Sequence, residues 1–200
     1  MHHLLTPADY RRMPWKNGGG QTLEIATEPP GAGTESFVWR VSVAEIERDG
    51  PFSAFPGVDR TLVLLEGKGM RLTGDGSSQE MRAAFEPVRF PGESGLHCAL
   101  VDGPTRDFNL MVRRGAARGD VVVVREAGRA IGPARSLICF AATGACECLI
   151  EGRPPIAVPS GHTLLIAADP GARTPSVRVH PADAGSVALV AVVQGPGTAQ

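Results

Sequence analysis

The chain has 200 residues, 42% of them hydrophobic and 20% charged, with 20 Lys+Arg against 21 Asp+Glu for a net charge of −1. That balance argues against a partner that is nucleic acid, which calls for a basic stripe, and the length buries roughly 70% of the unfolded surface without disulfide or metal staples. No apolar run approaches the roughly 18 residues that span a bilayer, and Met-His-His-Leu-Leu-Thr-Pro has no charged stretch leading an apolar one, so the expectation is a cytoplasmic protein with no membrane partner.

In chain order, the first element predicted is a short helix over 7–13, with Thr6 as N-cap, Pro7 in the first turn and Asp9 at the positive end of the dipole. Thereafter 25 glycines and 17 prolines break the chain into segments too short and too β-branched for long helices. Residues 37–46 alternate cleanly. Phe37, Trp39, Val41 and Val43 fall on one face and Arg40 and Ser42 on the other, the period of a half-buried strand. Further strands are predicted over 22–27, 61–66, 70–73, 96–101, 108–113, 120–124, 136–141, 146–151, 163–166, 176–179 and 186–193.

An internal repeat emerges when Leu62-Val-Leu-Leu-Glu-Gly-Lys-Gly-Met-Arg-Leu is laid on Leu137-Ile-Cys-Phe-Ala-Ala-Thr-Gly-Ala-Cys-Glu-Cys-Leu. Both read strand, glycine turn, strand. Each runs on to a Pro/Gly turn, Phe90-Pro91-Gly92 or Val158-Pro159-Ser160-Gly161, and closes with an apolar strand. The expected fold is therefore all-β, two tandem barrels over residues 14–115 and 120–195 within one body, because the Val-rich join at 120–124 reads as a buried strand.

Polar and glycine residues concentrate in the first sixty positions. Trp15-Lys16-Asn17-Gly18-Gly19-Gly20 reads either as a loop whose backbone approaches a guest closely or as a plain turn beneath a packed Trp15. It is not a phosphate loop, since its glycines follow the lysine and lead into a strand. Arg40 and Arg60 can converge with Lys16 in the mouth of the first barrel, where guanidinium forks suit a carboxylate. The competing reading pairs them internally with Glu24 and Asp59. Gln21 and Asn109 are candidate orienting hydrogen-bond partners, and Trp15 with Phe52 and Phe55 candidate apolar walls.

No metal and no cofactor are expected. His97, His162 and His180 form no His-x-His pair, and Cys146-x-Cys148 with Cys139 lacks the two-residue turn of zinc thiolates, so these cysteines read as small core hydrophobes. No nucleophile elbow is present. Asp59 is the best-placed general base should the protein be an enzyme, although Arg60 beside it favours an unreactive anion; Asp107 is similarly ambiguous.

The blocks Met13-Pro-Trp-Lys-Asn-Gly-Gly-Gly-Gln-Thr-Leu-Glu-Ile, Trp39-Arg-Val-Ser-Val-Ala, Gly50-Pro-Phe-Ser-Ala-Phe-Pro-Gly-Val-Asp-Arg, Leu64-Leu-Glu-Gly and Asp107-Phe-Asn-Leu-Met resemble, in order and spacing, those of the HutD/Ves family. The resemblance implies a bicupin fold and a regulatory accessory of histidine utilisation rather than an established enzyme. The expected partner is then a small anionic molecule, an intermediate of the urocanate or formylglutamate type. Two alternatives stay open: a metal-independent isomerase or hydrolase acting on a small carboxylate, and a Ves-like stress-response protein. Exposed barrel edges also make a homodimer an expectation.

Overall fold

A computed structural model of the chain describes residues 1–169 and 171–196. Its strands in chain order are β1 (His2–Leu5), β2 (Arg11–Pro14), β3 (Gly20–Glu28), β4 (Trp39–Ile46), β5 (Gly50–Pro51), β6 (Val58–Glu66), β7 (Met70–Gly74), β8 (Ser77–Met81), β9 (Pro87–Pro91), β10 (His97–Leu100), β11 (Thr105–Arg113), β12 (Arg118–Val124), β13 (Arg129–Ile131), β14 (Ser136–Thr143), β15 (Cys146–Ile150), β16 (Ile156–Val158), β17 (Thr163–Ala167), β18 (Val177–Pro181) and β19 (Val187–Gln194). All twelve predicted strands are present, eight of them longer by one to three residues.

The helix predicted over 7–13 does not form. Thr6 does not cap with its side chain: its backbone N–H and its hydroxyl both donate to Asp9 Oδ2 at 2.8 Å, and the result is one 3-10 turn at Pro7–Asp9. Seven residues make a marginal helix, and Arg11–Pro14 instead finds backbone partners against β3, from Arg11 opposite Glu24 to Pro14 opposite Gln21.

The chain divides into two units, Tyr10–Ala116 and a second made of Met1–Asp9 with the chain from Ala117 onward. The first carries a six-stranded sheet, β2-β3-β4-β11-β6-β9, and a four-stranded sheet, β5-β10-β7-β8. The second carries a five-stranded sheet, β1-β17-β14-β19-β12, and a four-stranded sheet, β13-β18-β15-β16. The neighbours correspond strand for strand: β4-β11-β6-β9 matches β12-β19-β14-β17, and β5-β10-β7-β8 matches β13-β18-β15-β16. The repeat read from sequence is this duplicated topology. Among the described residues every strand pair is antiparallel, as tight turns between hairpin neighbours require.

Inside the first barrel, Ala44, Ile46, Leu62 and Leu64 from the larger sheet pack with Met70, Leu72, Met81, Leu96 and Cys98. Most are fully buried, so truncating one such as Leu64 to Ala costs roughly 2–5 kcal/mol. The second barrel is filled by Leu137, Cys139, Ala141, Ala188 and Val190 from one sheet and Cys146, Cys148, Ile150, Val177 and Val179 from the other. Two register shifts interrupt the larger sheet of the first barrel, between Glu24 and Ala26 on β3 and between Arg106 and Asp107 on β11. Such bulges re-aim side chains beside functional sites.

Candidate functional site

On β4 the alternation that buries Trp39, Val41 and Val43 turns Arg40, Ser42, Ala44 and Ile46 to the opposite face. There they meet Asp107, Asn109 and Met111 of β11, directly across the ladder as Ala44–Asp107, Ser42–Asn109 and Arg40–Met111. Arg60 of β6 lies opposite Met111 on the other side. Together with Trp15, Lys16, Asn17, Thr22, Phe52 and Phe55 these residues line a cavity of about 560 Å³, within the range of small-molecule sites.

Arg60 dominates its chemistry. The side chain is 7% exposed, and its guanidinium carbon lies 5.2, 5.6 and 5.1 Å from the ring centres of Phe52, Phe55 and Phe90. Three aromatic faces hold the cation in place, yet Nε has no hydrogen-bond partner. Burial lowers its pKa to about 10, so it stays charged at neutral pH; Asp107 pulls the other way. Asp107 is 1% exposed, and burial pushes its carboxyl up to about 7 despite the opposing pull of Arg60. Its Oδ2, Ser42 Oγ and Asn109 Oδ1 are also without partners. Buried polar groups are nearly always satisfied, so four such atoms on one cavity wall are the feature that most needs a guest.

The other cations fare differently. Arg40 Nε sits 2.6 Å from Glu24 Oε2, with both residues buried, so the internal pairing that competed with ligand binding holds for Arg40. It fails for Arg60. Asp59 faces outward one residue earlier on the strand and pairs with Arg114 at 2.6 Å. That leaves Asp59 off the cavity, as a surface anion and not a base in the site. Gln21 is likewise displaced, donating to Glu45, its partner across the ladder, while its neighbour Thr22 faces the cavity and accepts from Trp15 Nε1 at 2.9 Å.

Eight of the ten sequence candidates, Trp15, Lys16, Asn17, Arg40, Phe52, Phe55, Arg60 and Asn109, line the cavity. Lys16 is exposed at its mouth. The glycines after it serve the β2–β3 hairpin. Gly18 has φ +66°, Asn17 Oδ1 accepts from Gly19 N–H at 3.0 Å, and a Cβ on Gly20 would lie 2.1 Å from the Glu45 carbonyl oxygen. The loop's close approach is thus to β4, and Asn17 spends its oxygen on the turn. Sequence reasoning missed Ser42 and undervalued Asp107, although the parity that puts Arg40 inside places Ser42 there too.

Duplicated sheets around a polar cavity define an all-β protein of bicupin architecture. Oxalate decarboxylase from Bacillus subtilis shares the fold alone, with a TM-score of 0.62 at 7% identity over 98% of this chain and 78% of that one. The HutD family model matches residues 7–184, and the chain belongs to that family. An uncharacterized 21.2 kDa protein in the hutC 3′ region of Pseudomonas putida is 41% identical over 150 residues, 75% of this chain and 78% of that protein. Protein Ves of Cronobacter sakazakii is 38% identical over 145 residues, 70% of this chain and 77% of that one. The structure of HutD from Pseudomonas fluorescens SBW25, in a formate condition, aligns with a TM-score of 0.82 at 29% identity, covering 98% of this chain and 100% of that one. Among the described residues no helix is long and apolar enough to cross a membrane.

Proposed function

We propose that the first barrel binds a small carboxylate in its cavity, and that the protein is a ligand-responsive accessory of histidine utilisation whose guest is an intermediate of the urocanate or formylglutamate type. The observation that carries this reading is the buried guanidinium of Arg60, boxed by three phenylalanines with Nε unpartnered. A carboxylate can accept from that fork, while Ser42 and Asn109 orient the rest of the molecule. Support for the pathway comes from the hutC-region relative and from the HutD structure.

Calorimetric titration with urocanate and with formylglutamate tests it. Arg60→Ala is expected to weaken binding by roughly 2–5 kcal/mol, the range for truncating one partner of a buried charge pair. Arg60→Lys is expected to be damaging too, because an ammonium cannot reproduce the two-pronged contact. Wild-type affinity in both variants, with only the melting temperature lowered, would return Arg60 to a structural role.

A second reading, a metal-independent isomerase or hydrolase working on the same carboxylate, is favoured by Asp107, a cavity carboxyl with a pKa of about 7 suited to proton transfer. Under it Asp107 takes the role first given to Asp59. Depletion of either compound by wild-type protein but not by Asp107→Asn would select this reading over simple binding.

A further inference from the structure

The second barrel holds a different chemistry. Cys139 of β14 and Cys146 and Cys148 of β15 bring their three sulfurs within 4.8 Å of one another, with Cys148 and Cys139 3.5 Å apart and Cys139 and Cys146 4.0 Å apart. All three are free thiols, at most 3% exposed. Sequence spacing hides this cluster, because the third sulfur arrives from the facing sheet.

Bonds of about 2.3 Å from one centre to three thiolates set the sulfurs roughly 3.4–4 Å apart, close to the 3.5 and 4.0 Å from Cys139 to its two neighbours. The walls are apolar. Cys139 lies between Leu164 and Val190 in its sheet, Cys146 opposite Val158, and Cys148 between Ile156 and Val179. The cluster contains no fourth His, Asp or Glu ligand among the described residues. A dry pocket also disfavours any complex with net charge. Three thiolates leave a divalent ion at −1 and a monovalent one at −2, but they cancel a trivalent centre.

We infer that Cys139, Cys146 and Cys148 form a three-thiolate site for a trivalent arsenical. Arsenous acid reacts with three thiols so that three As–O bonds break and three As–S bonds form. Each thiol proton leaves with a hydroxyl as water, three waters in all, with no change of oxidation state or net charge. Cys146 follows directly on the half-exposed turn Gly144-Ala145.

The test is native mass spectrometry of the reduced full chain incubated with arsenite, with zinc and with cuprous ion, alongside a thermal melt. The expected product gains one arsenic atom and loses three protons, and the melting temperature rises. Cys148→Ala and Cys146→Ser should each lose the three-thiolate product, whereas Cys98→Ala, in the other barrel, should keep it. Should the variants not fold, the wild-type mass and melt still decide. A product retaining an As–OH group, arsenic bound only when Cys98 is present, no bound arsenic, or preferential uptake of zinc or cuprous ion would each overturn the inference.

Discussion

The two barrels share a ladder and differ in what fills it. Setting Leu62 on Leu137, as the repeat does, puts Asp107 and Asn109 of β11 at the positions of Val190 and Val192 of β19. The same strand neighbours thus enclose an aliphatic and thiol core in one unit and four unpartnered polar atoms in the other. The arginines make the point most sharply. Arg60 and Arg135 stand two residues before the matched leucines, but β6 starts at Val58 and carries Arg60 into the sheet, whereas β14 starts at Ser136 and leaves Arg135 exposed. A few residues of additional strand separate a buried guanidinium from a surface charge. Duplication supplied one scaffold; strand length and side-chain polarity decide which copy has room for a guest.

The most direct way to break the comparison is to give the second barrel what the first has. Val190→Asp places a carboxyl among fully buried aliphatics with no arginine to compensate it, and is expected to destabilise by on the order of 4 kcal/mol, measured by urea denaturation. A cost under about 1 kcal/mol, the size of an ordinary surface change, would mean the second barrel tolerates polarity and is not the closed core its packing describes.

Next in size is a pH effect confined to the first barrel. The Asp107 carboxyl holds its proton up to about pH 7 when folded, against an ordinary value of 3.8. Between these limits the folded state binds more protons than the unfolded chain, so this group's contribution to stability falls as pH rises from about 4 to about 7 and is level above. At about 1.4 kcal/mol per pKa unit, the slope amounts to a few kcal/mol, and Asp107→Asn is expected to flatten it in melts taken across that range. An unchanged slope in the variant would place the titration elsewhere.

Smaller effects belong to the rim. Lys16 is exposed at the cavity mouth, so Lys16→Ala should slow association at low salt while costing less than about 1 kcal/mol of affinity; stopped-flow rates at two ionic strengths measure it. Smallest of all, Asp59→Asn removes an exposed pair with Arg114 and should change stability by about 0–1 kcal/mol and binding not at all. A large loss of binding in that variant would restore Asp59 to the site.

Much of this difference was legible in the sequence. Clean alternation in β4 and the Gly-punctuated repeat announced the sheets and the tandem barrels. What escaped were strands without an apolar face, such as β8, four of whose five residues are exposed, and β9, which begins and ends in proline. Local capping around Thr6 and Asp9 overstated a helix because the competing ladder comes from β3. In the site, Arg40, Arg60 and Asn109 were readable from parity and from the family blocks. Asp59 and Gln21 were assigned against parity, since a strand that turns Arg60 inward must turn Asp59 outward. The state of Asp107 depends on Arg60 and on its burial between β4 and β6, all remote in sequence, so no local pattern carried it.

The first strand has a consequence for how the chain is made and handled. His2 pairs with Ile166 and Leu5 with Thr163, and the Met1 amine donates to the Ala167 carbonyl at 3.0 Å. During synthesis β1 waits for a partner made only after residues 10–116, which already hold every strand of the cavity-bearing barrel. A fusion or purification tag on Met1 therefore bears directly on β17 and on the sheet that carries Cys139.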